Sequence, residues 1–207
     1  MLKAFATWEE TPAGGYRKGT LLVSNGDERV VGNAVLKNPG SARPLEIESK
    51  RSDGRLEFSV DQTMYALAEL FGINKKGGTI RLFNLSSIRE ADFSKAKKLI
   101  DTTVAKDDDV AEEIVNGPAV PTYLGWGDLY KNPKLRAKAE NIFEAAKKYT
   151  PSLRPNIVDN PFIHPLYLMR YGRNKDICVQ ERVIWQKEGV GYSELKEAVD
   201  RVIDGNK

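Results

Sequence analysis

The sequence has one cysteine, Cys178, and one histidine, His164. A structural zinc site or a four-cysteine iron–sulfur cluster needs several such residues, so this chain can build neither. A lone cysteine also excludes an intrachain disulfide, which fits a reducing cytoplasm. Any chemistry that needs imidazole must use His164, which makes this residue the first candidate for a functional role.

Long apolar runs are also missing. None reaches the ~20 residues that span a bilayer. The first ten residues contain Lys3, Glu9 and Glu10 and lack the apolar core of a signal peptide. We therefore expect a cytoplasmic protein that binds no membrane, no metal and no cofactor. The length of 207 residues suits a single domain, and we expect a monomer.

The small net charge of +3 conceals two segments of opposite sign. Residues 101–116 carry six acids and one base, and residues 131–154 carry seven bases and two acids. Solvated helix faces explain such runs in most proteins. The alternative is that the basic segment forms a surface for a polyanion such as DNA.

Strand-like and helical patterns alternate along the chain. Strands are predicted at residues 16–23, 30–36, 79–85, 121–126, 156–158 and 176–186. Helices are predicted at residues 59–71, 93–103, 107–115, 132–149 and 193–203. This order predicts an α/β fold, a three-layer α/β/α sandwich with a mainly parallel central sheet. The single domain 1–207 would begin with a β-ribbon (1–30) and end with an extension (173–207).

Four predicted strands are followed at once by polar or glycine-containing groups. These groups are Asn38-Pro39-Gly40, Asn84, Gly125-Trp126-Gly127 and His164-Pro165-Leu166. A parallel sheet would bring all four to one edge, where α/β proteins bind ligands. Each group also has a structural explanation. The first could be an ordinary turn, Asn84 a helix cap, the third tight packing beside an indole, and His164 a histidine whose hydrogen bonds are satisfied within the fold. The combination, with the only histidine among its members, indicates a functional site.

Five blocks are similar, in order, to motifs of the uracil-DNA glycosylase superfamily. AVLKNPGSA (34–42) resembles the first motif in its Asn-Pro-Gly form, and GRLEFSV (54–60) resembles the stretch that supplies a base-stacking aromatic. RLFNLSS (81–87) resembles the strand whose asparagine reads the base, and TYLGWG (122–127) the strand before a long helix. FIHPLYLMR (162–170) resembles the second catalytic motif. Residues 16–172 also resemble an uncharacterised bacterial domain family that has no established activity.

The resemblance implies a DNA glycosylase-like fold and an enzyme that hydrolyses the N-glycosidic bond of a base flipped out of DNA. Asn38 would hold the attacking water, and His164 would donate a hydrogen bond to the departing base. The substrate-binding residues would be Pro39, Gly40, Ser41, Phe58 and Asn84, with Phe58 stacking on the base. The DNA-binding residues would be Pro165, Leu166, Tyr167, Arg170, Arg173 and Lys175.

The substrate base stays open. Leu166 replaces the usual serine after His-Pro, and Asn38 stands where the most active uracil enzymes have aspartate. We expect uracil or a modified pyrimidine, and the polar loop 41–54 could admit a bulky modification of the kind found in phage DNA, which would suggest a defence role. Two alternatives remain: a non-catalytic nucleotide- or nucleic-acid-binding module of the same fold, and a hydrolase of free nucleosides or nucleotides.

Overall fold

A computed structural model of the chain describes residues 1–11, 14–45, 50–90, 92, 95, 98, 109–126, 133–149 and 164–166. The strands with described bounds are β1 (Leu2–Thr11), β2 (Gly14–Ser24), β3 (Val30–Leu36), β4 (Leu56–Phe58), β5 (Gly78–Asn84), β6 (Ile88–Arg89) and β7 (Thr122–Gly125). The helices with described bounds are α1 (Gln62–Leu70), α2 (Ile73–Lys76), α3 (Val110–Asn116) and α4 (Pro133–Tyr149). The predicted α/β class is confirmed.

The seven strands form one open, mixed sheet in the order β4-β1-β2-β5-β3-β7, with β6 beside β2. Among the described strands, the parallel pairs are those that β3 forms with β5 on one side and with β7 on the other. The other described strand pairs are antiparallel. The expectation of a mainly parallel sheet is therefore wrong. The reason is that the N-terminal hairpin joins the main sheet, because β2 pairs with β5 as well as with β1.

The parallel part of the sheet arises from two crossovers. Between β3 and β5 the chain forms α1 and α2, and before β7 it forms α3. α1 begins where Asp61 accepts a hydrogen bond from the amide of Met64 at 2.9 Å, and it ends before Gly72, which adopts φ +70°. A side-chain oxygen at the N-cap and a left-handed glycine after the last turn are the usual boundaries of a helix. The helix predicted at 59–71 is confirmed over its central part.

Two apolar clusters cover opposite faces of the sheet. Successive residues of a strand alternate between faces, and Leu82 belongs to the cluster with α1 whereas Phe83 belongs to the cluster with α3 and α4. The first cluster, called here the α1 cluster, includes Leu22, Ala34, Leu36, Phe58, Met64, Leu67, Ile80 and Leu82. The second, the α4 cluster, includes Tyr16, Val35, Phe83, Ile114, Leu124, Trp126 and Ile142.

The N-terminal ribbon predicted at 1–30 is the β1–β2 hairpin, followed by a turn at Asn25 and Gly26. Both turn residues have positive φ, +55° and +70°, and Asn and Gly adopt this conformation most readily. The N-terminal ammonium donates to Asn25 Oδ1 at 2.6 Å. Among the described residues no helix is long and apolar enough to cross a membrane. The elements predicted at 156–158, 176–186 and 193–203 and the extension 173–207 lie outside the described residues.

Gly32 tests how closely α1 packs on the parallel strands. A Cβ at Gly32 would overlap the ring of Phe71, the residue that ends α1. We expect Gly32→Ala to lower the free energy of unfolding by about 1–3 kcal/mol, since an overfilled core must shift. Urea denaturation measures this change.

The control is the same substitution in a Phe71→Ala background, which removes all the ring atoms that clash. There Gly32→Ala should cost less than half as much, because the two positions are in contact. Equal costs in both backgrounds would contradict the packing described for β3.

Candidate functional site

The ends of the three parallel strands meet at one edge of the sheet. Leu36 of β3 is in register with Asn84 of β5 and with Gly125 of β7. Backbone hydrogen bonds continue this alignment past the strands, since the amide of Leu85 donates to Leu36 at 2.8 Å and the amide of Ser86 donates to Lys37 at 3.0 Å. The Asn-Pro-Gly turn and Asn84 therefore lie at one edge, as the strand-end pattern predicts.

The side chain of Asn38 has a fixed orientation. Its Nδ2 donates to the carbonyl of Glu90 at 2.7 Å. This bond identifies the other terminal atom, Oδ1, as the acceptor. Within the described part of the chain Oδ1 accepts no hydrogen bond, and the residue is half-buried. Asn38 can thus present a carbonyl oxygen to a water molecule or to an N–H group.

The turn after Asn38 is held by an arginine from β6. Arg89 donates through Nε to the carbonyl of Ala42 at 3.0 Å and through Nη2 to that of Ser41 at 2.9 Å. Pro39 is buried, and Gly40 adopts φ +67°, which favours glycine. A Cβ at Gly40 would lie 3.6 Å from Asp61 Oδ2. The turn is therefore packed against the start of α1.

His164 belongs to the same region, because the positive charge of Lys37 acts on it. Burial lowers the pKa of His164 to about 4, and the charge of Lys37 adds to this effect. The ring is therefore neutral at pH 7. Its Nδ1 accepts a long hydrogen bond, 3.4 Å, from the amide of Leu166. That bond favours the tautomer with the ring proton on Nε2, where it can act as a donor.

The other predicted members are placed differently. Pro165 is buried and Leu166 half-buried, while Tyr167, Arg170, Arg173 and Lys175 lie outside the described residues. Trp126 is buried in the α4 cluster, on the opposite face of the sheet from Leu82 and Asn84. The end of β7 therefore lies at the candidate site, whereas the indole of Trp126 does not.

Phe58 lies inside the protein. It is 1% exposed, and its strand β4 pairs with β1 on one side and forms an isolated bridge to Pro44 on the other. The ring of Trp8 meets it edge-on at 5.9 Å, and the guanidinium of Arg17 lies over it at 5.8 Å. The stacking role of Phe58 stays a prediction, and it requires Arg17 to move aside.

Arg17 is the main feature of this edge that the sequence does not reveal. It is 2% exposed, and among the described residues its Nε and Nη1 have no hydrogen-bond partner. Burial lowers its pKa to about 10, with Asp61 opposing this change and Arg89 adding to it. The residue nevertheless keeps its charge at pH 7. Its backbone amide donates to Ser87 at 3.1 Å, so it lies at the same edge as Asn84.

A β-bulge points Arg17 inward. Between Phe5 and Thr7, β1 advances two residues while β2 advances three, from Leu21 to Lys18. The extra residue lies beside Gly19, whose φ is +52°. Such a bulge reverses the alternation of side chains. Arg17 therefore contacts the α1 cluster on the same face as Leu22, whereas regular alternation would point it to the other face.

Two further polar side chains share this face with Arg17. Thr20 precedes Leu22 by two residues, and Asn84 follows Leu82 by two, so both share the face of the α1 cluster. Thr20 Oγ1 and Asn84 Oδ1 are buried and, within the described residues, have no hydrogen-bond partner. We call Arg17, Thr20 and Asn84 the buried polar cluster.

Metal binding finds no support in the described residues, which contain no group of three or more His, Cys, Asp or Glu side chains able to hold an ion. The site consists instead of neutral acceptors, one neutral imidazole and several cations. Comparison of the chain with protein-family models, with curated proteins and with solved structures gives no match.

The single histidine makes the pKa of His164 directly measurable. The histidine C2–H resonance in proton NMR should titrate with a midpoint near 4 in the folded protein and near 6.5 in urea. Lys37→Gln should raise the folded midpoint, because it removes a positive charge. A folded midpoint at or above 6.5 would contradict the burial described for this ring.

The same shift sets a pH dependence of stability. The unfolded chain binds a proton at His164 below pH 6.5, while the folded chain resists protonation until about pH 4. This contribution to stability is present above pH 6.5 and is lost as the pH falls towards 4. It amounts to on the order of 2–3 kcal/mol. Urea denaturation at both ends of this range should show a smaller loss for His164→Gln than for the natural chain.

Asp61 has a second role besides capping α1, because its charge favours the cationic form of Arg17. Asp61→Asn keeps a capping oxygen but removes that charge. Asp109→Asn is a matched control, since Asp109 caps α3 through a 2.9 Å bond from the amide of Glu112. We expect Asp61→Asn to lower the free energy of unfolding by about 1–2 kcal/mol more than Asp109→Asn. Equal effects would show that Asp61 acts only as a cap.

Proposed function

We propose that the chain is an N-glycoside hydrolase that removes uracil or a modified pyrimidine from DNA. The observation that carries this proposal is the meeting of Asn38, Asn84 and the Lys37–His164 pair at one sheet edge. The site supplies an oriented acceptor, a buried acceptor and a neutral donor. The proposal includes the finer fold, a three-layer arrangement similar to the uracil-DNA glycosylases, because helices pack on both faces of the sheet.

The first requirement of the reaction is a water molecule on the sugar side. Asn38 Oδ1 would accept a hydrogen bond from this water, and the bond from Nδ2 to Glu90 keeps that oxygen from rotating away. Since the transition state resembles an oxocarbenium ion, a weakly activated water suffices. The C1′–N bond breaks, the water oxygen bonds to C1′, and the proton that the water releases ends on the departing base.

The second requirement is stabilisation of the departing base. His164 is neutral, and its Nε2–H would donate to a base oxygen as negative charge develops there. Asn84 Oδ1 would accept from an N–H group on the edge of a pyrimidine. Asn84 is buried and His164 is half-buried. Hydrogen bonds to a developing charge are stronger in such an environment than in water.

DNA is the partner in this proposal. Pro165, Leu166 and Tyr167 would fill the gap left by the flipped base. Arg170, Arg173 and Lys175 would contact phosphates, which gives affinity that decreases with salt. These roles follow from the sequence resemblance.

A second candidate is hydrolysis of free nucleotides. The buried cation Arg17 favours it, because a small ligand can enter deeper than the backbone of a duplex. This candidate predicts release of the base from a mononucleotide and little salt-dependent affinity for DNA.

The test is incubation with duplexes that carry uracil, hydroxymethylcytosine or glucosylated cytosine, followed by alkali, and with deoxyuridine monophosphate, followed by chromatography of the free base. We expect Asn38→Ala and His164→Gln each to lower the rate at least ~100-fold, because each removes a group that acts in the transition state.

The control for these two variants is Asn74→Ala, which removes an exposed asparagine on α2 and should keep the natural rate. Circular dichroism confirms that each variant is folded. If the folded natural chain releases no base from any of these substrates, the hydrolase proposal is wrong and the non-catalytic module remains.

A further inference from the structure

The buried polar cluster contains a cation with no counter-ion in contact. No carboxylate of the described residues approaches the Arg17 guanidinium within ion-pair distance, although Asp61 is near enough to influence its pKa. A charge that is taken out of water is costly unless hydrogen bonds replace its hydration. The donors on Nε and Nη1 lie on different edges of the guanidinium, so they need more than one acceptor atom.

The surroundings of Arg17 carry an excess of positive charge. Among the described residues, the charges that act most strongly on Arg17, Arg89 and His164 include the cations Arg17, Lys37, Arg43 and Arg89 and the carboxylates Asp61 and Glu90. Cations outnumber carboxylates in this set. A phosphate monoester carries about −1.5 to −2 at pH 7 and has several acceptor oxygens. Its charge and its acceptors both match what Arg17 lacks.

The bulge shows how the fold builds this position. Without the extra residue beside Gly19, Arg17 would point to the α4 cluster, and the site edge would hold no buried cation. Bulges that redirect a side chain are common beside functional sites. On the same face, the Thr20 hydroxyl and Asn84 Oδ1 are likewise left without partners among the described residues. The Thr20 hydroxyl can donate to a phosphate oxygen, whereas Asn84 Oδ1 needs a donor from another part of the ligand.

We propose that Arg17 binds the phosphate monoester of a mononucleotide, with Arg89 and the Asn-Pro-Gly turn bordering the same site. Arg17 is only 2% exposed, so an internal phosphodiester, which continues as backbone in both directions, cannot reach it. A terminal phosphate is attached on one side only, so it would need a narrower opening. The choice of a nucleotide as the carrier rests on the second candidate function, hydrolysis of free nucleotides, whereas the oxyanion site itself does not.

The experiment measures the melting temperature of the full chain with four probes at equal ionic strength: inorganic phosphate, deoxyuridine monophosphate, deoxyuridine, and a single-stranded oligonucleotide without terminal phosphates. We expect the first two to raise the melting temperature by about 5–10 °C at a hundredfold excess over their Kd. Deoxyuridine and the oligonucleotide should bind at least tenfold more weakly than deoxyuridine monophosphate.

Arg17→Met should abolish the shift caused by phosphate while leaving the melting temperature without ligand unchanged or higher, since it replaces an unpaired buried charge by an apolar side chain. Arg17→Lys, which keeps the charge but not the planar donors, should fold and bind at least tenfold more weakly. The matched control is Arg81→Met, because Arg81 also lies over a phenylalanine, Phe83 at 4.9 Å, but faces α3. It should bind phosphate as the natural chain does.

Three results would overturn the proposal: no shift with either phosphate probe, as for a cluster that holds only water; binding of the oligonucleotide alone; or undiminished phosphate binding by both Arg17 variants. Each is independent of the hydrolase assay. Base release from DNA without phosphate binding would contradict the phosphate site and support the hydrolase function. Phosphate binding without base release would support the phosphate site and contradict the hydrolase function.

Discussion

The in-register parallel pairing of β3 with both β5 and β7 is the constraint on which the candidate site depends. It aligns Leu36 with Asn84 and Gly125, and the chain beyond these residues must then emerge at one edge. A shift of this register by one residue would exchange the two faces of β3, so that each apolar cluster would receive the side chains that now face the other one. Because Ala34 and Leu36 pack in the α1 cluster and Val35 in the α4 cluster, the core itself fixes the geometry of the site.

The α1 cluster that fixes this register also adjoins polar side chains. Arg17, Thr20 and Asn84 each have a buried atom without a partner among the described residues, and each faces the α1 cluster. Burying such atoms opposes folding. The apolar packing on both faces of the sheet must offset this cost. Unsatisfied buried polar groups are few in folded proteins and often mark functional sites. Arg17 and Asn84 lie at the edge beside Asn38, which supports a site there.

Sequence patterns predict some of this architecture but not all of it. The turn at Asn38 and the strand that ends at Asn84 could be predicted, because both follow local apolar runs. The antiparallel half of the sheet could not be predicted, since β2 pairs with β5 across more than fifty residues of chain and no local pattern encodes that contact. Arg17 precedes Lys18 and resembles a surface pair in the sequence. Only the bulge beside Gly19 buries it, and Phe58 is buried by strand neighbours on both sides.

The charges at this edge explain why a neutral histidine suits the proposed reaction. Lys37 and burial keep the pKa of His164 about 4, so the ring cannot protonate the departing base at neutral pH. In the proposed reaction the base would leave as an anion, and Lys37 and Arg89, the cations that act on His164 and on Arg17, would stabilise that anion. The positive electrostatic potential that would bind a phosphate would therefore also favour cleavage of the N-glycosidic bond. Ligand binding and catalysis would then depend on the same cations.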